Sequence, residues 1–196
     1  MSDQPISRLS VPNEHMLPED IQAMFANMRA KPGFVPNVYQ AYSLRPQQLR
    51  GFIALYDAIM TEDSGLTKAE REMIAVAVSA QNHCFYCLTS HGAVLRIRAK
   101  DEVLADTIAA NYRAADLTPR QRAMLDLAVK VTGDSAAIAD QDLAVLRDYG
   151  FTDEDIMDII QTAALFNYSN RVASALDLRP NREYHHMARS SGSSGQ

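Results

Sequence analysis

The fold of this chain is decided by two similar stretches of sequence, LTKAEREMIAVAV at residues 66–78 and LTPRQRAMLDLAV at residues 117–129. Each begins with a Leu-Thr pair whose threonine is followed three residues later by Glu70 or Gln121. This spacing is typical of a capping box, in which the two side chains bind free N–H groups of the first helical turn. The apolar residues that follow recur at helical spacing. We interpret the stretches as the starts of two weakly related helical units, although two capped amphipathic helices can also look alike by chance.

The rest of the chain is predicted to be helical as well. Thr152 has the position of an N-cap before a long helix at about residues 153–178, and Gly150 ends the helix before it. No segment alternates between apolar and polar residues as a half-buried strand does. The sequence therefore predicts an all-α fold, a helical bundle with little or no sheet.

The domain organisation follows from these helices. We predict a single all-helical domain over residues 1–189, with repeat-like halves at about 15–112 and 113–180. The serine- and glycine-rich end at residues 190–196 is expected to form a disordered tail.

Composition excludes two classes of partner. The chain of 196 residues carries a net charge of -5 and no basic stripe interleaved with aromatic residues, so nucleic acid is not expected to bind. No apolar run approaches the ~20 residues that cross a bilayer, so a membrane is not expected either. Residues 1–17 lack the apolar segment of a secretory signal, and we expect a cytoplasmic protein.

The chain has two cysteines, and both lie in NHCFYCLTSHG at residues 82–92. This spacing in a cytoplasmic protein favours redox chemistry or metal binding over a structural disulfide. If Asn82 caps a helix, Cys84 falls in its first turn, where free N–H groups and the helix dipole favour a thiolate. Cys87 and His91 share one helix face, so the imidazole can exchange a proton with a thiol. A sulfenic acid formed on one sulfur can be resolved by the other.

Two other readings of this segment stay open. Cys84, Cys87, His91 and either Glu72 or His83 could supply four ligands to zinc. Alternatively, the cysteines are simply buried.

Two further groups of residues are candidates for the site. Glu72 lies on the helix before the dithiol, and its counterpart in the second copy is Ala123, which favours a functional role for the carboxylate. Asn167, Asn170 and Arg171 share a helix face and could line a pocket. We prefer the interpretation that these three tie helix ends together across a subunit contact.

The pattern E-x11-C-x2-C-x3-H, formed by Glu72, Cys84, Cys87 and His91, resembles the alkylhydroperoxidase D core of the carboxymuconolactone decarboxylase superfamily. The resemblance is strongest to the peroxidase-related branch of that superfamily. Two later segments are similar to that branch as well, FNYSNRVASAL from residue 166 and YHHMAR from residue 184.

The resemblance implies a function and roles for these residues. It implies an all-helical homo-oligomer, a trimer or a hexamer, that acts as a dithiol-dependent peroxidase and antioxidant. Cys87 would attack the peroxide, and Cys84 would resolve the sulfenic acid and, being more exposed, meet the reductant. Glu72 would assist proton movement near Cys84, and His91 would act beside Cys87. Helix-end electrostatics favour Cys84 as the more activated thiol, so the identity of the first attacking sulfur stays open.

The resemblance also implies the partners. The substrate would be a small organic hydroperoxide, the reductant a lipoyl-bearing or thioredoxin-like protein, and the redox-active dithiol would need no other cofactor. Tyr86 stands where the best-studied members carry a histidine. Two alternatives therefore remain: a disulfide reductase or redox sensor without peroxidase turnover, and a cofactor-free lactone decarboxylase.

Overall fold

The computed structural model describes residues 5–189, and this range contains helices, turns and loops but no β-strand. The predicted all-α fold is confirmed. Within the same range, no helix has the length and apolar character needed to cross a bilayer. The expected tail at residues 190–196 lies outside the described residues. The α-helices of the described range are α1 Glu19–Ala30, α2 Asn37–Tyr42, α3 Pro46–Met60, α4 Lys68–Gln81, α5 Phe85–Ala99, α6 Leu104–Asn111, α7 Pro119–Asp134, α8 Asp140–Asp148, α9 Asp153–Ala175 and α10 Glu183–His186.

Helix α4 forms the centre of the molecule. Every residue from 70 to 79 is buried, and the helix contacts α5, α6, α7 and α9. Thr67 and Glu70 form the predicted capping box in both directions. A helix that is buried on all sides is one surrounded by other helices. Glu72 therefore lies in the interior of the protein, where a carboxylate needs a polar partner.

Helix α7 is the structural counterpart of α4 in the second half of the chain. It begins with the predicted capping box of Thr118 and Gln121 and packs against α4 and α9. Arg71 donates to two backbone carbonyls of the segment before its helix, at 3.2 and 2.7 Å. Arg122 does the same in the second half, at 2.6 and 3.1 Å. The two stretches therefore share a side-chain anchor as well as a helix start.

Helix α9 connects the two halves. Thr152 caps it as predicted, and it contacts α4, α5 and α7. It ends at Ala175, earlier than predicted, because Asp177 adopts a left-handed φ of 49° that an α-helix cannot continue through. The buried side of α9 includes the polar residues Ser169 and Asn170 among apolar neighbours.

The start of α5 differs from the prediction. Asn82 does not cap this helix: it ends α4, and its backbone N–H binds the carbonyl of Val78 at 3.0 Å. Its side chain donates instead to two asparagines of α9, and His83 turns the chain with a left-handed φ of 52°. Cys84 itself therefore occupies the N-cap position of α5. Cys87 follows as the third residue of the helix.

Candidate active site

The structure brings the four predicted site residues together. Glu72 extends from α4, and Cys84, Cys87 and His91 lie along the first turns of α5, which packs against α4. Both cysteines are free thiols. The site is thus assembled by the short turn that folds α5 back onto the central helix.

Glu72 and His91 form a buried pair. The Oε2 atom of Glu72 lies 2.7 Å from Nδ1 of His91, and the side chains are 7% and 13% exposed. A carboxylate oxygen accepts, so Nδ1 carries the hydrogen and Nε2 is left to exchange protons. The edge of the imidazole packs against the ring of Phe166, with the centroids 4.5 Å apart. The pair therefore holds the imidazole in one orientation.

The two thiols are equally buried. Cys84 and Cys87 are each 1% exposed and pack with Ala173 and Leu178 at the end of α9. The expectation that Cys84 is the more exposed thiol is wrong for this chain. The segment after α9 covers the N-terminus of α5, which is the side from which Cys84 would otherwise meet solvent.

The surroundings of the two thiols shift their pKa values in opposite directions. The thiol of Cys87 and, less strongly, its backbone N–H and the hydroxyl of Ser174 lower the pKa of Cys84, although burial opposes them. His91 contributes to the same lowering of the Cys84 pKa. The pKa of Cys87 is raised well above that of an ordinary thiol by its hydrogen bond to Cys84 and by burial. The lower pKa of the pair therefore belongs to Cys84, and the higher pKa belongs to Cys87.

A small pocket opens onto Cys87. Its volume is about 80 Å³, and its wall includes Cys87 and His91 but not Cys84. Half of the remaining wall residues are aromatic, namely Tyr39, Phe52, Tyr56, Tyr86, Phe166 and Tyr184. A molecule in this pocket would meet the sulfur of Cys87 and the imidazole together.

Tyr86, which stands in place of the family's histidine, is an anchor in this structure. Its hydroxyl accepts a hydrogen bond from the backbone N–H of Val38 at 3.1 Å. Burial raises its pKa well above that of an ordinary phenol. A phenol held in this way keeps its proton near neutral pH, so His91 is the group of the pocket that is suited to proton exchange.

The asparagines of α9 belong to a polar network inside one chain. The side-chain amide of Asn82 donates to Oδ1 of both Asn167 and Asn170, each at 3.0 Å. Asn170 in turn donates to Ser79 at 3.0 Å, so the network joins α9 to α4. Arg171 donates to Oδ1 of Asn167 at 2.7 Å. These bonds lie within one chain, and the interpretation of the three residues as ties across a subunit contact stays a prediction.

Two site residues were not predicted from the sequence. Ser169 lies on the buried side of α9 with its hydroxyl 3.8 Å from the sulfur of Cys87, and Ser79 of α4 orients Asn170. The sequence does contain a signal for Ser169: residues 166, 169, 170 and 173 have the i, i+3, i+4, i+7 spacing that predicts one buried face of a helix. Polar residues in such a buried stripe must bind partners inside the protein.

A metal centre has no comparable support. Among residues 5–189, no group of three or more His, Cys, Asp and Glu side chains is arranged to hold a metal ion. Glu72 and His91, two of the ligands considered for zinc, bind each other instead.

A larger groove lies between α7 and α8, away from the thiols. It encloses about 700 Å³. Four of the charged residues along it form ion pairs, Arg113 with Asp126 and Lys130 with Asp142. No cysteine, serine, threonine or histidine is among the residues that line this groove.

Comparisons with known proteins agree with this architecture. The model of the carboxymuconolactone decarboxylase family matches residues 46–111 and 101–178. The two overlapping matches fit a chain built from two related helical units. No curated protein matches this chain.

Two solved structures are similar over nearly the whole chain. The alkylhydroperoxidase AhpD core protein of Ralstonia eutropha JMP134, an uncharacterized peroxidase-related protein, is 49% identical with a TM-score of 0.93. The match covers 95% of this chain and 98% of that one. An uncharacterized peroxidase-related protein of Silicibacter sp. TM1040 is 45% identical with a TM-score of 0.92, covering 96% and 99% of the two chains.

A more distant structure shares the fold alone. The debrominase Bmp8, solved in complex with 2,3,4-tribromopyrrole, is 17% identical with a TM-score of 0.74. That match covers 93% of this chain and 95% of the debrominase.

Proposed function

This chain belongs to the carboxymuconolactone decarboxylase family, whose members are enzymes, and from this premise we propose that it is a dithiol-dependent peroxidase. The observation that carries the proposal is the arrangement of the two sulfurs. Cys87 and His91 share the wall of the aromatic pocket, and Cys84 lies directly behind Cys87. A substrate can therefore reach the thiol of Cys87, and the thiol of Cys84 lies beside it for the next step.

The first step oxidises Cys87. Its proton moves to the thiolate of Cys84 or to Nε2 of His91, and the resulting thiolate attacks the terminal oxygen of a hydroperoxide. The O–O bond breaks, the sulfur keeps the terminal OH group as a sulfenic acid, and the alkoxide takes up one proton to leave as an alcohol. The bond of His91 to Glu72 keeps its Nε2 available to return that proton.

The second step forms the disulfide. The thiolate of Cys84 attacks the sulfur of Cys87, the S–O bond breaks, and hydroxide leaves with a proton as water. A dithiol reductant then restores both thiols by thiol–disulfide exchange and is itself oxidised to a disulfide. We assign this role to a lipoyl-bearing or thioredoxin-like protein, and no further cofactor enters the cycle.

The pocket favours a small organic hydroperoxide as the substrate. Its volume of about 80 Å³ and its aromatic wall suit a compact alkyl group, which gains from leaving water. Hydrogen peroxide has no apolar part to bind there. We therefore expect tert-butyl hydroperoxide to react faster than hydrogen peroxide.

The test is a stoichiometric reaction. Reduced protein is mixed with one equivalent of tert-butyl hydroperoxide, and the free thiols and the mass of the protein are followed in time. We expect the loss of both thiols to a Cys84–Cys87 disulfide and the release of one equivalent of tert-butanol. Cys84→Ser should stop at a sulfenic acid on Cys87, and Cys87→Ser should not react. Full reactivity of Cys87→Ser would refute the assignment.

A second candidate reaction is reductive dehalogenation, favoured by the aromatic wall of the pocket and by the shared fold of the debrominase. The thiolate of Cys87 would take a halogen from an aromatic ring, the ring carbon would gain a proton, and Cys84 would displace halide to form the disulfide. Release of bromide from 2,3,4-tribromopyrrole by the reduced protein would support this reaction. If bromide is released and the hydroperoxide is not reduced, dehalogenation replaces peroxidase activity.

A further inference from the structure

The thiol with the lower pKa is not the thiol that lines the substrate pocket. The pKa of Cys84 is the lower of the two because the thiol of Cys87 donates its hydrogen to Cys84. The pocket, however, opens onto Cys87. For Cys87 to attack, negative charge must develop on a buried sulfur, which is costly unless hydrogen-bond donors already surround it.

Helix α9 places a donor beside that sulfur. The hydroxyl of Ser169 lies 3.8 Å from Sγ of Cys87, and within residues 5–189 it makes no other hydrogen bond. Ser169 is 6% exposed, so water does not compete freely for its hydrogen. The hydroxyl of Ser90, which is also in the pocket wall, already donates to the backbone carbonyl of Tyr86 at 3.0 Å.

The next residue of α9 supplies a second donor whose orientation is fixed. Asn170 is 1% exposed, its Oδ1 accepts from Asn82, and its Nδ2 donates to Ser79 at 3.0 Å. These two bonds determine which end of the amide is the nitrogen. An amide nitrogen carries two hydrogens, so one remains for another acceptor. Hydrogen bonds from Ser169 and Asn170 both favour the charged form of Cys87.

We propose that Ser169 and Asn170 act as catalytic hydrogen-bond donors to the sulfur of Cys87, and that they make it the attacking sulfur. The inference rests on the proposed dithiol chemistry and extends it to residues of the second half of the chain. As the proton leaves Cys87, both donors stabilise the charge on its sulfur. The same donors remain in place for the oxygen of the sulfenic acid.

The test measures the ionisation of Cys87 without any peroxide. In a Cys84→Ala background a single thiol remains, and its thiolate is followed by ultraviolet absorbance as the pH is raised. Ser169→Ala should raise the midpoint by about one pH unit, since a hydrogen bond to a charged group is lost. Asn170→Asp keeps the shape of the side chain but adds a negative charge beside the sulfur, and it should raise the midpoint further.

Two matched controls lie on the same helix. Thr162→Val removes another buried hydroxyl of α9, which donates to the carbonyl of Asp158 at 2.7 Å away from the thiols. Asn167→Asp makes the same isosteric change one turn before Asn170. Both controls should leave the midpoint within a few tenths of a pH unit. If Ser169→Ala also leaves it unchanged in folded protein, the inference is wrong.

A second readout separates this inference from the proposed function. With Cys84 present, Ser169→Ala should slow the reaction with tert-butyl hydroperoxide about tenfold near neutral pH, in proportion to the lost thiolate. If no variant reacts with the peroxide but the midpoint still shifts, the donors are real and the peroxidase proposal fails. An unshifted midpoint together with intact peroxide reduction would overturn the donor assignment alone.

Discussion

The carboxylate of Glu72 binds Nδ1 of His91 at 2.7 Å in the interior of the protein. Glu72→Gln keeps the size of the side chain but removes the negative charge that holds the imidazole. Because proton transfer by a positioned side chain contributes about 10²–10⁴-fold, we expect disulfide formation with tert-butyl hydroperoxide to slow at least tenfold. Glu154→Gln, on the exposed surface of α9, is the matched control and should react as the unchanged protein does. Equal rates for both variants would contradict a role for Glu72.

The ionisation of the dithiol gives a second prediction. A thiol is neutral when protonated, so the lowered pKa of Cys84 extends its charged form to lower pH. One thiolate per chain should therefore appear below about pH 8.5, the ordinary thiol value, and the other only well above it. Ultraviolet absorbance of the thiolate measures both steps.

The same shift also affects stability. The contribution of Cys84 to the free energy of unfolding should be present above the ordinary thiol pKa and be lost as the pH falls through its lowered value. Cys84→Ser should remove the low-pH thiolate. If that thiolate persists in Cys84→Ser, the charge rests on Cys87 instead.

Tyr42 carries a buried hydroxyl that binds no residue in the range 5–189. Burial, Tyr168 and the two sulfurs raise its pKa, so the phenol keeps its proton. Removing an unsatisfied buried group relieves its desolvation cost, and we expect Tyr42→Phe to raise the free energy of unfolding by about 1 kcal/mol. Tyr86→Phe is the matched comparison, since it leaves the N–H of Val38 without its acceptor and should lower that free energy. Urea unfolding of both variants checks the prediction, and a loss of stability in Tyr42→Phe would contradict it.

At this scale, the sequence predicted which residues meet but not how each is bound. The spacing of Cys84, Cys87 and His91 determines that they share a helix face, because that depends on local geometry alone. The contact of Ser169 with Cys87 depends on how α9 packs against α5, and no local pattern contains that information. The equal burial of the thiols depends on the segment after α9 for the same reason.

At the scale of the helices, we expect the capping boxes of α4 and α7 to contribute about equally to the free energy of unfolding. The hydroxyl of Thr67 accepts from the N–H of Glu70 at 3.2 Å, and Thr118 accepts from Gln121 at the same distance. Thr67→Ala and Thr118→Ala should each lower the free energy of unfolding by about 1 kcal/mol. Chemical denaturation measures both, and disulfide formation by the folded variants should be unchanged. A far larger loss in one of them would show that its threonine does more than cap a helix.

The helix starts at Thr67, Thr118 and Thr152 could be predicted because each is a local chemical signal. The start of α5 could not. Asn82 has the right side chain to cap a helix, but the amides of Asn167 and Asn170 bind it more favourably once α9 is in place. A tertiary contact therefore overrides the local preference, and it moves both thiols two positions nearer the helix end.

For the whole molecule, the resemblance predicts a homo-oligomer, and we expect light scattering to give three or six times the mass of one chain. Large apolar side chains such as Leu55 and Met157 are 49% and 55% exposed on α3 and α9, and an assembly would remove such surface from water. A mass equal to one chain at micromolar concentration would contradict the prediction.

The all-helical fold was predictable at this scale because helical periodicity extends along the whole chain. The pocket was not, because its wall is drawn from α2, α3, α5, α9 and α10 and exists only after they pack. From the sequence, aromatic residues such as Phe52 and Tyr56 are predicted to pack in the core or at an interface, and their place around Cys87 is a property of the assembled bundle.

The position of α9 against the dithiol has a consequence for how the two related halves depend on each other. The first half supplies both thiols, the imidazole and most of the pocket wall, while α9 of the second half supplies Phe166 and the hydroxyl of Ser169 that faces the reacting sulfur. A chain cut between α6 and α7 would separate both thiols from Ser169 and from the part of the pocket wall that α9 forms. The site at the dithiol is therefore complete only when both halves of the chain are present.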